Sequence, residues 1–291
     1  MSRATLGFRA ATRDAVGGSL ALAVARQGHR TRPVTTEASG IFRLMQPLYL
    51  DDSGQVTYIL MSSGGAYFGE TYRVAVDVHE GAHLLVSSQS ATRIYKTPVA
   101  PAVQEAAFTL GAGSRLEYIP DQTIAYRNAD YRQYTKVVTD PDAQAFFGEI
   151  VTPGWDPEDL KFTYAGMHLR VDVHSADGAG LVLVDNVRIQ PASIGDAIDG
   201  IGYMEGRTHM GSALILGAHT RGDYGDEVRA IVERFETLRA GVTSGSRHGV
   251  SWLMVRALGD STDTLRDMIL TVNAHDRSVT TGQARLDLRR Y

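Results

Sequence analysis

From about residue 20 to residue 190, hydrophobic and polar positions alternate with period two between turns rich in Gly, Asp and Pro. Tyr72, Val74, Val76 and Val78 fall on one phase, and Arg73, Ala75, Asp77 and His79 on the other, as a strand with one buried face requires. The strands share a frame in which an alternating run meets a short Gly/Asp turn and a second apolar run follows at once. The stretch Arg73 to Val86 turns at Gly81 in this way, and Arg170 to Leu183 turns at Gly178. Two looser copies between them turn at Gly113 and Asp142, so successive turns are 32, 29 and 36 residues apart. That spacing is typical of supersecondary units that bury a shared core by packing on their neighbours. The pattern predicts a mainly β fold of stacked strand units, either β-helix-like or in layered sheets.

After residue 220 the period changes. Val228, Ile231, Val232, Phe235 and Leu238 trace one helical face, with Gly241 placed to cap its end. A strand-like run from Val250 to Leu258 precedes a second helix, with Asp260 as its expected N-cap and Leu265, Met268, Ile269 and Val272 facing inward. The two helices are expected to cover an open end or one face of the sheets. At 291 residues the chain reads as a single domain over 1–291, β-rich over 20–220 and helix-containing over 221–291.

Composition narrows the function classes. A formal net charge of −4, with no long Lys/Arg run, gives no attraction to phosphate backbones, so nucleic acid is not an expected partner. The chain has no cysteine, which removes disulfides, thiolate ligands and cysteine nucleophiles. Any metal is therefore expected to bind through nitrogen or oxygen. No stretch approaches the about 20 apolar residues of a membrane span. Arg3, Arg9 and Arg13 ahead of the apolar run Ala15 to Ala25 faintly resemble a secretory signal. Asp14 interrupts the basic part, however, and Gly17, Gly18 and Ser19 dilute the apolar one. The run is therefore expected to be a strand and the protein cytoplasmic.

One segment suggests catalysis. His79-Glu80-Gly81-Ala82-His83 matches the zinc-protease pattern H-E-x-x-H, in which two histidines one helical turn apart hold zinc and the glutamate activates water. Here the five residues end an alternating strand and include a turn glycine, so the helical geometry is not expected. The metzincin continuation is also missing, because Val86 and Gln89 stand where it needs glycine and histidine. A zinc metallohydrolase using His79 and His83 is one alternative reading, and an unrelated β-rich binding module is another. No P-loop, dinucleotide fingerprint or G-x-S-x-G elbow is present, and no catalytic residue is assigned.

Four segments, in order, resemble the UreD (also UreH) family of urease accessory proteins. They are Gly64-Gly65 with Gly69-Glu70; Ser87 to Lys96, reading SSQSATRIYK; Leu116 to Ile124, followed by Tyr131-Arg132-Gln133; and Leu253 to Gly259 with the terminal Arg289-Arg290-Tyr291. The likeness covers about residue 20 to 291. Departures are Glu70 in place of aspartate, Gly148 where an aromatic commonly precedes Glu149, and Tyr291 in place of tryptophan.

The resemblance implies a non-enzymatic scaffold that works with UreF and UreG, docks on apo-urease and provides an internal route for Ni²⁺. It also implies that no cofactor is held tightly and that nickel passes only transiently. By the same resemblance, Glu70, Ser90 and Glu149 are the candidates for the route, with Gln89, Thr92 and Tyr95 supporting that region, and the ligand set of the metal is left unassigned.

Overall fold

A computed structural model describes residues 16–62, 66–191, 198 and 200–285. The paired glycines Gly64 and Gly65 and the terminal Arg289-Arg290-Tyr291 lie outside these residues.

Two sheets face each other across the main core. The first, sheet A, contains β1 (Val16–Gln27), β2 (Arg30–Gly40), β6 (Thr71–Val78), β9 (Ala102–Leu110), β12 (Asp130–Thr139), β14 (Gly166–Ser175) and β15 (Gly180–Ile189), in the order β15-β14-β12-β9-β6-β1-β2. Sheet B contains β3 (Phe42–Leu44), β4 (Val56–Ser62), β7 (His83–Ser88), β10 (Arg115–Ile119), β13 (Gln144–Val151), β16 (His209–Leu216), β17 (Arg239–Arg247) and β18 (Val250–Gly259), in the order β17-β18-β16-β13-β10-β7-β4-β3. Three short strands, β5 (Ala66–Tyr67), β8 (Thr92–Ile94) and β11 (Thr123–Ala125), pair side by side as a narrow third wall.

The chain winds between the sheets as a solenoid. Strands β6, β9 and β12 are parallel neighbours in sheet A, and β7, β10 and β13 are parallel neighbours in sheet B. Their registers repeat the turn spacings of the sequence: Thr71 opposes Val103, Val103 opposes Arg132, and Asp130 opposes Gly166. The corners are tight turns closed by Ala82 N–H to His79 C=O, Ser114 to Gly111 and Ala143 to Asp140. Gly81 and Gly113 each have φ +62°, a left-handed value that favours glycine, although a Cβ at either position would meet nothing. In the third corner the Asp140 carboxylate accepts from Asp142 N–H instead.

The two best-matched sequence copies differ in path. At Gly81 the chain crosses from sheet A to sheet B, whereas at Gly178 it folds back within sheet A as the antiparallel hairpin β14–β15. One turn signature serves both, because it specifies a local reversal and leaves the partner of the next strand to distant packing.

The inward phase of sheet A carries Leu20, Leu22, Val74, Val76, Phe108 and Val137, which pack against Tyr58, Leu84, Val86 and Leu116 of sheet B. The outer face of sheet B is covered by α1 (Tyr224–Val232) and α2 (Thr262–Thr281), which bury a second core around Phe146, Ile215, Val228, Leu253 and Ile269. The stripe expected to run helical to Leu238 leaves the helix at Val232. Phe235 and Leu238 still reach that core, but on successive three-residue turns, Phe235 N–H to Val232 C=O and Leu238 N–H to Phe235 C=O. Gly241 is not a cap; it lies in β17 opposite Arg256. Ser261, not Asp260, caps α2 by accepting from Thr264 N–H, while Asp260 pairs with Arg207. The signal-like triplet Ala23-Val24-Ala25 lies inside β1, with all three residues paired to β2 and Ala23 and Val24 paired to β6 as well.

Between α2 and sheet B lies a buried polar cluster. Arg277 donates to Glu117 at 2.6 Å and Arg115 to Glu117 at 2.8 Å, and Asp276 accepts from Arg115, Tyr224 and His219 at 2.7, 2.8 and 2.7 Å. Burial alone would push the Asp276 carboxyl up, but His219 and Arg115 outweigh it and hold the group below the ordinary carboxylate value.

Candidate functional site

Inside the solenoid the inward phases of the two sheets change character. On sheet A, Gln104, Tyr131, Gln133, Thr135 and Asp185 replace aliphatic residues; on sheet B, Tyr118, Glu149, Ser212 and Met254 do so. They line a partly open chamber of about 70 Å³, large enough for several waters, with Thr92 and Thr123 in its narrow third wall.

Glu149 sits on β13, on the phase shared with Ala145, Phe147 and Val151, and its carboxylate accepts from Gln133 Nε2 at 2.7 Å. Tyr131 OH donates to the amide oxygen of Gln133 at 2.9 Å, which fixes the amide with its nitrogen toward Glu149. Burial pushes the Glu149 carboxyl up; Gln133 and Arg256 pull it back and Asp185 adds to the rise.

A second polar path leads away from the chamber. Gln104 accepts from Tyr67 OH at 3.0 Å, and the Tyr67 ring stacks on Tyr72 with centroids 4.0 Å apart. Tyr72 OH donates to Glu70 at 3.1 Å and accepts from Phe68 N–H at 2.8 Å. Burial raises the hydroxyl of Tyr72 to about 12 and those of Tyr67, Tyr118 and Tyr131 upward as well, so all four are neutral at physiological pH.

The residues expected from sequence are thus distributed. Glu149 and Thr92 line the chamber. Glu70 stands one tyrosine away from Tyr67, at the entrance to β6. Gln89 and Ser90 are exposed outside it on a turn where Ser90 has φ +69°. Tyr95 belongs to an outward aromatic ladder, Phe68–Tyr95–Tyr126–Trp155, with centroids 5.3, 4.8 and 4.8 Å apart. Asp185, Arg256, Gln104 and Met254 were not anticipated. Their signal was a polar or flexible side chain on an apolar phase, as with Asp185 between Leu183 and Val187.

The zinc-protease motif takes no helical form. His79 and Glu80 are exposed at the β6–β7 corner, Gly81 turns the chain, and His83 begins β7. The two histidines therefore do not share the helix face that the motif's chemistry needs. Among the described residues, no three His, Asp or Glu side chains are placed to hold one metal ion.

A family model described as UreD urease accessory protein matches residues 16–290. The chain belongs to the UreD family. It is 39% identical over 277 residues to the urease accessory protein UreD of Arthrobacter sp. (strain FB24), covering 94% of both chains. It is 37% identical over 280 residues to the UreD of Paenarthrobacter aurescens (strain TC1), covering 95% of this chain and 96% of the relative. The UreD of Actinomyces naeslundii is 38% identical over 275 residues. Membership in the UreD family assigns the protein a role in urease maturation. No helix among its described residues is long and apolar enough to cross a membrane.

Proposed function

We propose that this UreD-family protein is a non-catalytic scaffold that acts with UreF and UreG on apo-urease in the cytoplasm, and that Ni²⁺ crosses its interior chamber as cargo. The observation that carries the reading is Glu149, a carboxylate on the wall of a chamber that Asp121 and Asp185 also line, with amides, hydroxyls and a thioether beside them. A borderline divalent ion accepts carboxylate and neutral oxygen ligands, and delivery requires sites strong enough to enter yet weak enough to leave. Glu70, joined through the Tyr72 and Tyr67 rings to Gln104, extends the same line of donors toward the start of β6. Ser90, on its exposed turn, belongs to the outer surface of this route.

The test is co-expression with apo-urease, UreF and UreG at limiting nickel. A Glu70→Ala/Glu149→Ala chain is expected to bind UreF in pull-down and yield nickel-poor urease. Full metallation by that variant would remove both residues from the route.

A further inference from the structure

Asp185 lines two cavities. It faces the chamber on one side, and on the other a groove of about 450 Å³ bounded by Tyr203, Met204, Met210, Arg188 and Leu258. Where the two meet, Arg256 Nη2 donates to both carboxylate oxygens of Asp185 at 2.7 Å, and its Nη1 lies 3.3 Å from Met210 Sδ. Arg256 lines the groove but not the chamber.

The strands explain why a charge pair stands here. Asp185 is on β15, the edge of sheet A that is paired only with β14; Arg256 is on β18, within sheet B. No backbone ladder joins β15 to sheet B, so this side of the space between the sheets is bridged by side chains. Across sheet B, Glu149 opposes Ser212 and Ser212 opposes Arg256, which makes one polar row from the chamber to the pair.

We infer that the Asp185–Arg256 pair is a cation-displaceable gate between groove and chamber. The inference rests on the reading that the chamber carries a divalent cation. With the pair closed, the guanidinium occupies both oxygens of Asp185 and repels an approaching cation. A divalent ion competes for that carboxylate, and once Asp185 changes partner, Arg256 is released toward the groove and the next carboxylate inward is Glu149. A monovalent ion has half the charge with which to displace a guanidinium nitrogen shared by both carboxylate oxygens, so the gate also selects. The two side chains are 29% and 26% exposed, which keeps the pair breakable: such a pair biases its closed form by about fivefold at most.

The cysteine-free sequence permits a direct test. Ser212→Cys places a single thiol beside the gate in the full-length chain, and its rate of modification by a small cationic methanethiosulfonate is measured. Arg256→Met, which keeps the bulk and removes the charge, and Asp185→Asn, which keeps the shape, are each expected to raise that rate about fivefold while the chain keeps its circular dichroism. Labelling at the original rate in both folded variants overturns the gate. Nickel content of urease matured with the Arg256→Met chain is read separately. Faster labelling with unchanged metallation keeps the gate and removes the nickel reading, whereas unchanged labelling removes the gate whatever the metallation does.

Discussion

Gly148 of β13 lies directly beneath Ile269 of α2: a Cβ at residue 148 would stand 2.9 Å from Ile269 Cγ2. The helix is seated on bare backbone one residue before Glu149, so its distance from the sheet sets the outer side of the strand that carries the chamber carboxylate. Gly148→Ala is expected to destabilise the protein by about 1–3 kcal/mol through overpacking. Ile269→Leu, which removes the β-branch methyl, should restore part of that loss. Urea unfolding of the two single variants and the double variant checks both statements.

Glu117 receives Arg115 and Arg277 with no exposure of its own side chain. Glu117→Ala removes the carboxylate shared by two buried guanidinium groups, leaving Arg115 with Asp276 alone and Arg277 with the part-exposed Asp51, and the expected cost is about 3–5 kcal/mol. Adding Arg277→Met should recover part of it, because one of the two under-compensated buried charges is then gone. Thermal unfolding of the single and double variants gives the comparison.

Glu149 gives the chamber a pH signature. Its folded-state carboxyl is raised above the ordinary 4.5 by burial, so in the window above that value the native state holds a proton that the unfolded chain has released. Its contribution to stability is therefore present below the ordinary value and lost as pH rises through the folded one. Glu149→Gln should abolish this part of the slope and be the more stable protein at neutral pH. Unfolding midpoints from pH 4 to 8 decide the point, and a parallel slope in the variant would contradict it.

His79 carries the remaining alternative, zinc hydrolysis. Because it is exposed at a corner, His79→Ala is expected to change stability by no more than about 0.5 kcal/mol and to leave urease metallation intact. Stoichiometric zinc in the purified protein, lost on this substitution, would count against that expectation.

Much of the solenoid was legible because its physics is local. Period two located β6 and β14, and the turn spacings recur in the structure as the offsets between parallel strands. What stayed hidden depended on distant partners. The Gly81 and Gly178 turns look alike, yet one crosses between sheets and the other reverses within one. Phe235 and Leu238 kept a helical phase while leaving the helix, because a turn can present the same side chains to the same core. β17 escaped detection because it is exposed on both faces and so shows no alternation. The chamber was half visible: Glu149 was found by resemblance, while Asp185 and Arg256 were charges on apolar phases whose meaning needed the facing strand.

The coils of sheet A run parallel, but its outermost strands β2 and β15 run against them, and β2 carries Pro33. A neighbouring strand arriving at the β2 edge would meet at Pro33 a position with no N–H to offer. At both edges of sheet A, then, the winding ends in a strand that folds back on the coil before it.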